Sequence, residues 1–145
     1  MVKSPSLFEG YFMIAYLDFL FLSYQGRIGR GAYWLGFFGL GFAELGAIGF
    51  LLHLSHGSVA DLLAFYRNNR SVSHEVMQHV IWPVLIVVAL FLYPTYALYT
   101  KRWHDRNKSG WWSLIQLVPF VGAPWLLIEL GFLGGDEYQN DYGTR

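Results

Sequence analysis

The stretch VIWPVLIVVALFLYPTYALYT, Val80 to Thr100, carries no charged residue. A bilayer's hydrocarbon core is roughly 30 Å thick and takes about 20 apolar residues of helix to cross. Two other stretches have the same character. Tyr33 to His53 (YWLGFFGLGFAELGAIGFLLH) holds one acid, Glu44, and Trp111 to Leu133 (WWSLIQLVPFVGAPWLLIELGFL) holds one acid, Glu129. A single such segment fits a buried core helix. Three in one short chain predict membrane spans. Composition agrees: 54% of residues are hydrophobic and 14% are charged. A soluble domain has about 25% charged residues, so this chain lacks the polar surface that water demands. The expected fold is all-α: an integral membrane helical bundle, one membrane domain over 1–145, with spans at 33–53, 80–100 and 111–133.

The N-terminal run Leu7 to Tyr24 (LFEGYFMIAYLDFLFLSY) is apolar but contains Glu9 and Asp18, which fall on opposite faces of a helix. We read 7–24 as an interfacial helix, with a short fourth span as the alternative. Lys3 is a thin basic region and no small-residue cleavage site follows, so a signal peptide is not expected. Within the polar connection Leu54 to His79, DLLAFYRNN suggests a short surface helix. The tail 134–145 (GGDEYQNDYGTR) reads as a polar, turn-rich loop.

Orientation follows the excess of Lys and Arg on the cytoplasmic side. With three spans, Lys3, Arg27, Arg30, Lys101, Arg102, Arg106 and Lys108 share one side; Arg67, Arg70 and Arg145 lie on the other. This predicts a cytoplasmic N-terminus and an outside C-terminus. The formal net charge of +0 gives no field to steer the chain to nucleic acid. Without cysteine there are no disulfides or thiolate metal sites.

The polar chemistry concentrates in RWHDRNKSGWW, Arg102 to Trp112. Neighbouring helical residues point about 100° apart, so His104 and Asp105 make no catalytic dyad. Arg102 can meet Asp105 at i,i+3 and His104 can meet Lys108 at i,i+4. Ser109 is placed to cap the following helix, with Trp111 and Trp112 at headgroup depth. GRIGRGAYW, Gly26 to Trp34, mirrors this arrangement on the same face, and Asp105 could bridge to Arg27 or Arg30. Bidentate arginines suit carboxylate or phosphate. Arg27, Arg30, Arg102, His104, Asp105, Arg106, Lys108, Trp111 and Trp112 are therefore the candidate lipid- or partner-binding residues. Their bases would add about 1 kcal/mol each beside an anionic leaflet.

These motifs carry a resemblance. G-R-x-x-R-x-x-Y-W before the first span, then HDRNKSGWW, a proline-interrupted last segment and NDYG near the end resemble the bacterial inner-membrane family called domain of unknown function 805, over roughly Tyr16 to Gly143. The resemblance implies a small multi-span inner-membrane protein and transfers no catalytic residue. Ala32 stands where the family often has an acid, and Asn107 stands near a common glycine.

Intramembrane polar groups are the other candidates. Glu44 lies ten residues past Trp34, so about 15 Å deep. Pro119 and Pro124 lie at similar depth and would free the carbonyls of Ile115 and Phe120. A protonated Glu44 donating to one of them would tie the first segment to the third; Gln116 is the other polar group there. Ala32, Gly36, Gly39, Ala43 and Ala47 form a small-residue stripe for close helix packing, within one chain or in a homo-oligomer. His53 with His56, and Glu75 with His79, have spacings that zinc could use. Solvated loop histidines are the expected state, so no metal, cofactor or catalytic set is assigned. The sequence favours a non-enzymatic membrane module that binds anionic lipid or a protein partner through the basic face. The alternatives are a small proton or solute conductor using Glu44, and a headgroup-modifying enzyme with His104 as acid–base.

Overall fold

The structure is a computed structural model that describes residues 7–55, 60, 63, 67 and 74–144. His56 and most of the proposed surface helix at 61–69 lie outside them, as does the side chain of Glu75. All the regular structure among the described residues is helical. Helix α1 is Leu7–Phe21 and α2 is Arg30–Leu54. Helix α3, Met77–His104, opens with a π-helical turn at Met77–Ile81 and continues as α-helix through Pro94. Helix α4 is the 3-10 segment Gly110–Leu117, and α5 is Gly122–Phe132, an α-helical turn passing into a π-helix at Leu127–Phe132.

Helices α2 and α3 are long and apolar enough to cross a bilayer. A soluble protein would bury such helices. Here only 11% and 17% of their most apolar windows are buried. Leu35, Phe42, Leu45, Leu85 and Leu90 stand exposed along them. In water, apolar patches of this extent would associate; hydrocarbon satisfies them.

The chain divides into two compact units, 1–38 with 93–145, and 39–92. In the second, Leu52, Val80 and Val87 are buried and the Ser55 hydroxyl donates to the His79 carbonyl at 2.6 Å. Glu44 belongs to this unit and is half-buried. The first unit holds every candidate residue of the two motifs. Its apolar core is Leu20, Ile28, Tyr33, Ala97, Leu98, Trp103, Leu126 and Leu130. Gly36 is part of that packing: a Cβ there would lie 2.7 Å from Leu98 Cδ1. Gly39 faces open space. The small-residue stripe is thus used within the chain at one position and left unoccupied at the next.

The local chemistry of RWHDRNKSGWW explains why α3 stops and the chain turns. Lys108 N–H donates to the Trp103 carbonyl at 3.0 Å and Asn107 N–H to the His104 carbonyl at 3.0 Å. Asn107 sits at φ 52 between them. This is the left-handed helix terminus that glycine, or less often asparagine, provides. Ser109 then caps α4, its hydroxyl oxygen accepting from Trp111 N–H at 3.4 Å.

Trp111 to Leu133 does not run as the one helix expected of it; it breaks into α4 and α5. Pro119 cannot continue α4, and Phe120 adopts φ 64. Gly122 N–H donates to the Val118 carbonyl at 2.9 Å and starts α5 back along α4. Gly122 is required at the crossing, because a Cβ there would strike the Ile115 carbonyl and lie 2.7 Å from Gln116 Cα. Pro124 falls in the first turn of α5, where its missing N–H costs nothing. The Ile115 carbonyl, expected to be freed by Pro119, accepts from Val118 N–H at 2.9 Å. The result is a helical hairpin whose two ends lie at the same end of the unit. The tail follows, so residues 134–144 pack beside Arg27 and His104. The charge count on three spans places that tail on the opposite side.

Candidate functional site: a buried ionic staple

The last turn of α5 is the focus of the site. A helix C-terminus leaves its final carbonyls without intrahelical partners. Here five consecutive carbonyls each receive a side-chain donor. Arg106 Nη1 donates to Glu129 O at 2.8 Å, and Arg102 Nε donates to Leu130 O at 2.8 Å. Trp34 Nε1 donates to Gly131 O at 3.1 Å, Arg30 Nη1 to Phe132 O at 3.3 Å, and Arg102 Nη2 to Leu133 O at 2.5 Å. Three arginines at the negative end of a helix are also favoured by its dipole.

Asp105 is the counter-charge at the centre. Arg102 Nη1 pairs with its Oδ2 from the preceding turn, and Arg27 Nη2 reaches its Oδ1 at 3.3 Å. All three side chains are 0% exposed. Arg27 also ties down the tail. Its Nη1 donates to Tyr138 O at 2.7 Å and Gly143 O at 2.9 Å, and its Nη2 to Asp136 O at 2.6 Å. Asp136 N–H returns a bond to Asp105 O at 2.7 Å. Gly135 passes so close that a Cβ would collide with the Asp105 carboxylate.

A second carboxylate, Glu129, lies between Arg106 (2.7 Å) and Lys108 (3.2 Å). Lys101 is buried and its ammonium donates to the carbonyls of Phe19 (2.7 Å) and Ser23, fixing the end of α1. His104 stacks on Tyr142, with ring centroids 3.8 Å apart and planes at 7°. Its Nδ1 lies 3.2 Å from the Gly26 carbonyl, and Asn140 Nδ2 donates to the His104 carbonyl at 2.8 Å.

The arrangement brings both arginine motifs together, as their shared face implies, but turns them inward. Arg27, Arg102 and Asp105 are sealed, and Arg106 is mostly covered. They cannot clamp a headgroup in this conformation. His104 does not pair with Lys108, because Tyr142 holds the ring and Glu129 holds the ammonium. Asp105, with both oxygens on guanidinium groups, is not placed to activate His104. What stays at the surface is Arg30, Lys108, Trp111 and Trp112. Lys108 Nζ lies over Trp103 (5.3 Å) and Trp112 (5.9 Å), a cation–π arrangement. Gln116 Nε2 donates to the Tyr96 hydroxyl within the hairpin's packing.

Sequence reasoning missed Glu129, Lys101 and Gly135 as parts of this site. Glu129 reads as an acid near the far end of a span until the hairpin returns it to Arg106. The NDYG motif, in contrast, is visible in the sequence, and its members supply Gly143 O, the Tyr142 ring and the Asn140 amide.

Residues 21–144 match the family described as Protein of unknown function (DUF805). The chain belongs to this family. It is 32% identical over 126 residues to "Inner membrane protein YhaI" of Escherichia coli K12, covering 83% of this chain and 86% of that protein. It is 26% identical to "Uncharacterized protein YiiR" of the same strain, covering 83% and 84%. A shorter match, 44% identical over 41 residues, is to "Inner membrane protein YhaH", covering 28% of this chain and 31% of that one. No solved structure matches the chain. In this family member, the motifs that carry the resemblance are the residues that build the staple.

Proposed function

We propose that this chain is a non-enzymatic inner-membrane module that holds anionic phospholipid at a cytoplasmic rim. The observation that carries the reading is the division of the basic residues. Arg27, Arg102 and Arg106 are covered by the staple, while Arg30 and Lys108 stay at the surface although each also binds it, at Phe132 O and at the Glu129 carboxylate, three residues apart on α5. Trp111, 78% exposed, and Trp112 flank them at headgroup depth. Two bases beside an anionic leaflet add about 2 kcal/mol of attraction.

In this reading α2 and α3 span the membrane, and the α4–α5 hairpin enters the cytoplasmic leaflet alone. Eight residues of 3-10 helix reach about 16 Å, close to half of the roughly 30 Å core. Phe120, 98% exposed, is then at the midplane. Both termini face the cytoplasm. Of the ten Lys and Arg, only Arg67 and Arg70 fall between the two long helices, so the positive-inside rule is met more fully than with three spans. The names of the two inner-membrane relatives support the location.

Two measurements test this. A lone cysteine at Glu137 should resist a membrane-impermeant maleimide in intact cells, while one at Asn68 reacts; the reverse pattern sinks the topology. Native mass spectrometry from nanodiscs of mixed phosphatidylethanolamine and phosphatidylglycerol should show bound phosphatidylglycerol. The Arg30→Ala/Lys108→Ala variant should lose it. If that variant retains the lipid as well as the wild type does, the rim is not the binding site.

A further inference from the structure

We propose that the cavity between α3 and α4 is a binding site for an uncharged amphiphile with a free hydroxyl, of the diacylglycerol type. This goes beyond the rim reading and uses different polar groups. The cavity is about 360 Å³ and partly open, within the roughly 300–1,000 Å³ of small-molecule sites. Its walls include Tyr24, Tyr96, Thr100, His104, Ser109, Trp111 and Leu114.

The hydrogen-bonding inventory selects the head. The Gly26 carbonyl can only accept, so a neutral His104 carries its proton on Nδ1 and leaves the Nε2 lone pair unclaimed. The Tyr24 hydroxyl gives its proton to the Tyr93 carbonyl at 3.1 Å, which leaves its oxygen to accept. Burial beside Tyr93 raises the Tyr24 hydroxyl above its ordinary value and keeps that proton on. Tyr96 is the opposite case: its oxygen accepts from Gln116 Nε2, so its own O–H is left to donate. The Ser109 oxygen is taken by Trp111 N–H, which again leaves an O–H to donate.

The walls therefore offer donors and acceptors together. Among the described residues no Asp, Glu, Lys or Arg lines the cavity, so a charged head would be desolvated without a counter-charge from them. A hydroxyl satisfies His104 Nε2 by donating and Ser109 by accepting. An ester carbonyl deeper in the site accepts from Tyr96. The aromatic walls and Leu114 take the start of an acyl chain, whose remainder leaves through the opening into the leaflet beside Trp111.

The test is native mass spectrometry of the full chain from phosphatidylethanolamine/phosphatidylglycerol nanodiscs containing dioleoylglycerol. The wild type should carry a dioleoylglycerol adduct. Leu114→Trp fills the cavity and should abolish it. Tyr96→Phe removes one donor and should weaken it about fivefold, the effect of one neutral hydrogen bond. Hydrogen exchange in residues 134–144 reports that each variant is folded. No adduct on the wild type overturns the proposal. So does an adduct that a folded Leu114→Trp retains, or one unchanged in Tyr96→Phe should Leu114→Trp fail to fold. Loss of phosphatidylglycerol from Leu114→Trp, with Arg30 and Lys108 intact, would also overturn it by showing that the cavity takes the charged lipid.

Discussion

Replacing Arg27 by alanine should release the C-terminal tail while leaving the long helices in place. Arg27 makes three bonds to tail carbonyls, at Asp136, Tyr138 and Gly143, and shares Asp105 with Arg102. Hydrogen bonds to charged groups contribute about 1.5–3 kcal/mol each, but the freed carbonyls near the exposed Asp136 and Tyr138 regain water, so the three do not sum. Breaking a buried pair by removing one partner costs about 3–5 kcal/mol. The tail would keep only Asp136 N–H on Asp105 O, the Asn140 and Asp141 contacts and the Tyr142 stack. At about 1.4 kcal/mol per tenfold, opening of 134–144 should become at least a hundredfold more frequent. Hydrogen exchange by mass spectrometry reads this directly, with protection lost in the tail and kept in α3. Arg27→Lys should fall between, because one ammonium cannot fork to three carbonyls and a carboxylate. Asp105→Ala should be worst, since it leaves two buried guanidinium groups facing each other. Tail exchange in Arg27→Ala within twofold of wild type would refute the argument.

Gly135→Ala should undock the same tail without touching a charge, at about 1–3 kcal/mol. The added methyl meets the locked Asp105 carboxylate and lies 2.7 Å from its backbone carbonyl; exchange of 134–144 checks it. Gly122→Ala should prise α5 from α4, because the methyl meets backbone that cannot rotate away. Spin labels on the two arms should report a longer separation, and an unchanged distance would contradict the hairpin crossing. Gly36→Leu should lower thermal stability in detergent by clashing with Leu98, while Gly39→Leu should leave it unaltered because its surroundings are open.

The apolar helices were legible in the sequence because transfer to lipid depends on composition over about 20 residues. For α2 and α3 the reading and the structure agree to within a few residues. The segment 111–133 has the same composition and a different path, since hydropathy records where residues are soluble and says nothing of direction. The reversal rests on three local facts: a proline at 119, a left-handed Phe120 and a glycine at 122. The prolines and Gly122 are visible in the sequence, but they fit a kinked span equally well. The Arg102–Asp105 pair and the Ser109 cap were readable because they are local. Glu129 and Lys101 were not, because their partners are 21 or more residues distant and are brought close only by the turns.

The same geometry decides what the arginine motifs are for. Read as a strip, GRIGRGAYW and RWHDRNKSGWW look like a headgroup clamp, since Arg suits phosphate. But a helix that ends in a sealed site has carbonyls to satisfy, and unsatisfied ones are costly away from water. Arg30, Trp34, Arg102 and Arg106 satisfy Glu129 through Leu133 one after another. Arginine is suited to this task because its five donors form a fixed fork that reaches several carbonyls at once. Lysine at 102 would leave at least one of Leu130 O, Leu133 O and the Asp105 carboxylate without its donor. On this argument the two motifs are one composite C-cap, assembled from two helices for a third. The positive charge left at the surface is that of Lys108 and of the Arg30 donors the cap does not use.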